Sequence, residues 1–77
     1  MRRGPRSWYR VTYKIMTVEQ VGFLARETQT TVENATSYFS SRIIKPSIKL
    51  EKEILSVLHG QHPGAHAIHI VAIVTTN

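Results

Sequence analysis

Four histidines, His59, His62, His66 and His69, fall within eleven residues and form the densest group of ligand-type side chains in the chain. Imidazole is a common zinc or copper ligand, and a loop running into a strand could gather three of them. The loop is Gly60-Gln61-His62-Pro63-Gly64. Two features oppose the metal reading. His66 and His69 are three residues apart, which on a strand points them to opposite faces. No carboxylate lies in the segment to orient a ligating ring. The residues therefore predict loop and sheet-surface histidines, with no metal site and no cofactor.

Other reactive groups are scarce. The chain has neither cysteine nor aspartate, which removes thiolate chemistry, cysteine-ligated metals and a Ser-His-Asp triad. Glu51 and Glu53 alternate with Lys49 and Lys52 as a solvated charge run, and no glycine spacing matches a phosphate-binding loop. A non-catalytic protein is expected.

The remaining chemistry is electrostatic. Arg2, Arg3, Arg6, Arg10 and Lys14 occupy the first fourteen residues without an acidic neighbour, and Trp8 and Tyr9 stand among them. Arginine and lysine neutralise phosphates, and an accessible aromatic ring stacks on an unpaired base. Arg2, Arg3, Arg6, Trp8, Arg10 and Lys14 are thus the candidate nucleic-acid-binding set. The competing reading is a solubilising tail whose Trp8 packs on the edge of the core. From Met16 onward five basic residues balance five acidic ones, so the formal charge of +5 comes from the N-terminal region. That balance predicts no basic face elsewhere.

The elements that must position these groups follow from periodicity. Residues 1–7 (MRRGPRS) read as a flexible basic arm, and 8–77 as one α+β domain. Trp8–Ile15 alternates, with Tyr9, Val11, Tyr13 and Ile15 on one face and Arg10, Thr12 and Lys14 on the other, joined by Trp8; this is a strand with one buried side. Thr30 and Glu33 have capping-box spacing, Val32, Ala35, Phe39 and Ile43 recur at helical intervals, and Lys45-Pro46 closes the segment; Thr30–Pro46 is expected to be an amphipathic helix. Thr17–Thr28 fits a strand after a turn near Thr17–Gln20, since a helix there would hold Gly22 in its interior and turn Phe23 off its stripe. Lys49–Leu58 fits a helix stopped by Gly60, or a strand from about Glu53 to Leu58. Ala65–Thr75 is rich in β-branched residues and reads as the last strand. The outcome is β-β-α-β-β, an antiparallel sheet with one helix on one face. The alternative is a helix-turn-helix followed by a C-terminal hairpin.

The segment Leu24–Phe39 loosely resembles helix-turn-helix DNA-binding proteins in the spacing of Ala25, Gln29 and Ala35, and the opening helices of bacterial histone-like proteins. It departs from them in placing Gln29 at the usual turn glycine, and its second helix would offer no basic residue before Arg42. The last strand adds a separate expectation. Ile68, Ile70, Ala72 and Val74 line one face and Ala67, Val71 and Ile73 the other, so a single helix leaves one apolar sheet face uncovered. A homodimer is the simplest consequence. No apolar run reaches the roughly 18 residues of a membrane span, and no signal peptide is visible; a cytoplasmic protein with no membrane partner is expected. The combined reading is a small regulatory protein that engages nucleic acid, or a nucleic-acid-bound machine, through its arm and first strand. The alternative is a modulator that binds a protein partner through a sheet edge or the uncovered face.

Overall fold

A computed structural model describes residues 6–23 and 27–76. Two long strands, β1 (Ser7–Val21) and β2 (Glu27–Ser41), form a hairpin; α1 (Ile48–Gln61) follows, and β3 (Ala67–Thr75) returns beside β1. The sheet order is β2-β1-β3, and both pairings are antiparallel. The class is α+β, and the described elements run β-β-α-β.

β1 is the strand that alternation predicts, with Tyr9, Val11 and Tyr13 buried on one side. It extends beyond Ile15, however. Thr17–Gln20, expected as the turn, pairs with Gln29, Thr30, Thr31 and Thr28 of β2 in unbroken register. The reversal lies further on, where Gly22 takes φ +95°, a backbone region that costs a residue bearing a Cβ. Neither helix of a helix-turn-helix forms among the described residues of 17–41.

The largest correction concerns Thr30–Pro46. It is not a helix: Glu27–Ser41 pairs residue for residue with β1. Thr28, Thr30, Thr31, Val32 and Thr36 are β-branched, and Tyr38 and Phe39 are aromatic, so the composition suits a pleated surface better than a helix. Val32, Ala35, Phe39 and Ile43 do have helical spacing, but on the strand Val32 lies on the face opposite Ala35 and Phe39. Thr30 and Glu33 cap nothing. The true cap is Ser47, whose Oγ accepts the Leu50 N–H at 3.2 Å from an extended backbone. Lys45-Pro46 therefore precedes the helix rather than ending one.

Lys49–Leu58 is helical, and the strand reading of Glu53–Leu58 is set aside. Leu50, Ile54 and Leu58 recur every four residues and all three are buried. The helix ends at Gln61, one residue beyond Gly60, with the His62 N–H on the Leu58 carbonyl at 2.9 Å.

The core is the contact of Tyr9, Val11 and Tyr13 with Leu50, Ile54 and Leu58, flanked by Ile15, Ala35, Phe39, Ile43, Ile68, Ile70 and Ile73. The two tyrosines bring hydroxyls inward, and each is satisfied. Tyr9 donates to the Ile43 carbonyl, and Tyr13 shares a 3.0 Å hydrogen bond with Ser37 Oγ. Ser41 ties the end of β2 to the helix: its Oγ donates to Glu53 Oε2 at 3.1 Å and accepts the Ile43 N–H at 3.0 Å.

β3 differs from its expected phase. Thr12 faces Ala72 and Tyr13 faces Ile70, which leaves Val71 as the extra residue of a β-bulge. The bulge shifts the alternation by one, so Ile68, Ile70 and Ile73 share the core face, while Ala72 and Val74 turn outward.

The molecule is long, 59 × 23 × 17 Å. Its radius of gyration of 16.0 Å exceeds the roughly 11–12 Å of a compact chain this size. The cause is the hairpin. β3 pairs with β1 only up to Met16, so Thr17–Val21 and Glu27–Thr31 project as a two-stranded ribbon.

Two substitutions test this account by urea unfolding followed by circular dichroism. Ile54→Ala empties the centre of the helix–sheet contact and should lower the unfolding free energy by about 2–5 kcal/mol. Ser47→Ala removes the cap and should cost about 1 kcal/mol. The same change at Thr30, which caps nothing, should leave helix content unaltered.

Candidate functional site

Covering one face of a three-stranded sheet leaves the other to solvent. On β1 the even-numbered residues, Trp8, Arg10, Thr12, Lys14, Met16 and Val18, occupy that open face, because successive side chains alternate. β2 contributes the cross-strand partners Ser40, Tyr38, Thr36, Asn34, Val32 and Thr30. β3 sets Val74 opposite Arg10, Ala72 opposite Thr12, His69 opposite Lys14 and Ala67 opposite Met16.

Charge divides by the same parity. Glu19, Glu27 and Glu33 are odd-numbered and share the helix side of the strands, while Glu51 and Glu53 lie on α1. These are all five acidic residues of the chain. The open face therefore holds Arg10, Lys14 and His69 with no carboxylate among them. Alternation in Trp8–Ile15 already sets Arg10 and Lys14 on one face; pairing adds His69, and strand parity puts the acids on the other side.

Two rings stand at one end of this face. Trp8 is 52% exposed and Tyr38 is 63% exposed. Tyr38 pairs with Arg10, and Trp8 with Ser40, so the rings are diagonal neighbours whose backbones are about 7–8 Å apart. Arg6 lies at the same end and is held there: its Nε donates to Ser40 Oγ at 3.2 Å and its Nη2 to the Ser40 carbonyl at 3.1 Å. A shallow cavity of about 290 Å³ lies at the other end, with apolar walls from Met16, Val32 and Ala67 and with Lys14 and His69 beside them. Six residues separate Trp8 from Lys14, a span of about 20 Å along the strand.

Of the six candidate residues from the sequence, Trp8, Arg10 and Lys14 share the open face, and Arg6 is anchored at its end. Arg2 and Arg3, with most of the proposed arm, fall outside the described residues. Tyr38 and His69 belong with the set but were not assigned to it. The alternation of Thr36, Tyr38 and Ser40 was the available signal for Tyr38, hidden by the helical reading of that segment.

The histidines do not converge. His59 is exposed in the last turn of α1 and His66 is exposed before β3, its N–H on the Met16 carbonyl at 2.7 Å. His62 is half-buried, its ring centroid 6.1 Å from that of Tyr13 at 53°, and His69 is on the open face. Among the described residues no three His, Asp or Glu side chains are grouped to hold a metal ion. No helix among them is long and apolar enough to cross a membrane. Against protein-family models, curated proteins and solved structures the chain has no match, so its site is read from its own residues.

Proposed function

We propose that this is a non-catalytic binding protein of the cytoplasm whose open sheet face takes up single-stranded nucleic acid. The observation that carries the reading is the composition of that face: two accessible rings, Trp8 and Tyr38, beside Arg10 and Lys14, with every carboxylate on the opposite side. Such a surface offers bases a stacking platform and phosphates a cationic track. Single strands suit it, since stacking on Trp8 and Tyr38 needs unpaired bases. The apolar cavity beside Lys14 and His69 gives a further base somewhere to rest. Arg2 and Arg3 add charge at the Trp8 end of the chain.

A second reading rests on a different feature of the same face. Met16, Val18, Val32 and Val74 are exposed there, and an apolar surface of this kind also suits a protein partner. The two readings part on salt dependence.

Trp8 is the only tryptophan, so its fluorescence reports directly on stacking. Titration with oligo-dT should quench it, and affinity measured by anisotropy should fall linearly with log salt. Arg10→Ala and Lys14→Ala should each reduce the magnitude of that slope by about 0.7. Tyr38→Ala should weaken binding by about 1–3 kcal/mol without changing the slope. No binding at low salt, or binding that leaves Trp8 fluorescence unmoved, overturns the proposal. Capture of a protein partner that persists at high salt and depends on Val32 and Val74 would favour the second reading.

A further inference from the structure

The two edges of the sheet are protected unequally. β3 is a nine-residue edge interrupted by the bulge at Val71, a device that discourages further strand pairing. β2 is a fifteen-residue edge in unbroken register with β1. It contains no proline, lysine or arginine, and its only charged residues are Glu27 and Glu33, so few of the residues that guard an edge are present.

Hydrogen-bond parity identifies its free groups. The Trp8 carbonyl accepts from Thr76 and the Met16 carbonyl from His66, so even-numbered residues of β1 address β3. Their partners on β2, also even-numbered, must then aim their N–H and C=O groups away from β1. Ser40 shows this, since its carbonyl is taken by Arg6. Between Glu27 and Arg6's contact, residues 28, 30, 32, 34, 36 and 38 present unpaired backbone along the edge.

We infer that β2 pairs antiparallel with β2 of a second copy about a two-fold axis at Asn34, giving a continuous six-stranded sheet. Three observations select this occupant and register. Free groups belong to even-numbered residues, so even must meet even; a centre on any residue allows this, and a centre on Asn34, the midpoint of Glu27–Ser41, pairs the longest stretch of the edge. In that register Glu27 faces Ser41 and Glu33 faces Ala35, so no like charges stand directly opposite, and the two Glu33 are diagonal neighbours across the axis. The ends also match. The ribbon of one copy, which lacks a third strand of its own, lies against the helix-backed half of the other. Its tip, with Phe23 fully exposed, arrives beyond the partner copy's β2, where Ile44 and Ile48 are 61% and 73% exposed. A free two-stranded ribbon is marginal in water, and a third strand supplies what it lacks.

The pairing has a consequence for the open face. Even-numbered side chains point to that face in both copies, so the two faces lie on the same side of the joined sheet. The dimer itself rests on the edge alone; the doubled nucleic-acid track rests on the reading above.

The test is sedimentation velocity on the full chain without nucleic acid, with circular dichroism on the same samples. The expected mass is twice the 8.8 kDa of the chain. Asn34→Pro removes an N–H that points away from β1 and should raise the dimer dissociation constant about tenfold or more with the fold retained. Phe23→Ser, at a fully exposed site, should weaken the dimer while leaving the dichroism spectrum unchanged, and it decides the matter if Asn34→Pro does not fold. A wild-type monomer at high micromolar concentration overturns the inference, as does a dimer indifferent to Phe23→Ser and to a folded Asn34→Pro. A dimer that fails to quench on oligo-dT would sink the nucleic-acid reading and leave this one standing.

Discussion

The fold depends on one contact, the helix α1 lying across the odd-numbered side chains of β1. Leu50, Ile54 and Leu58 meet Tyr9, Val11 and Tyr13, and burying side chains of this size stabilises by about 1.5–3 kcal/mol each. Everything else is arranged around keeping that contact dry and satisfied. Tyrosine is a costly core residue unless its hydroxyl finds a partner, and here the Ile43 carbonyl and Ser37 supply them. Ser41 and Glu53 fix where the chain leaves the sheet, and Ser47 fixes where the helix starts. A chain of 77 residues has one such core, and it backs only part of the sheet.

From that single covered face the character of the other follows. A strand has two sides and one helix covers one of them. The side chains that the helix does not need are free to carry function, and those of β1 carry a tryptophan, an arginine and a lysine. The acidic residues, by falling at odd positions of the strands or on the helix, are removed from that surface. A chain that is charge-balanced from Met16 onward thus has an open face with cations and no carboxylate. Neighbouring strands complete it with Tyr38 and His69, which lie far from Trp8 and Lys14 in sequence and beside them in the sheet.

The length of the hairpin is a second consequence. β1 and β2 continue past the point where β3 and the helix can accompany them, so the molecule is extended and its longer edge stays open. The bulge at Val71 has a double effect. It returns Ile73 to the core after Ile68 and Ile70, and it spoils the β3 edge for further pairing. The β2 edge has no counterpart to it.

Local pattern was enough for the first half of β1 and for the existence of β3, because strict alternation in Trp8–Ile15 and a β-branched run in Ala65–Thr75 admit few other readings. The length of β1 and the phase of β3 were set by pairing. Local pattern also determined that Trp8, Arg10 and Lys14 share a face opposite Tyr9, Val11 and Tyr13, since period two is a property of the strand alone. It pointed to the wrong element for Thr30–Ser41, where Thr-x-x-Glu spacing and a helical apolar period read as a helix although the composition is β-branched. The decision came from fifteen cross-strand pairs with β1, an interaction invisible at the range over which a helix signal is read. The helix at Ile48–Gln61 gained its place in the same way, by laying a four-residue repeat on a sheet that needed covering. Residue types fixed the chemistry available; pairing across distant segments decided which of those residues stand together.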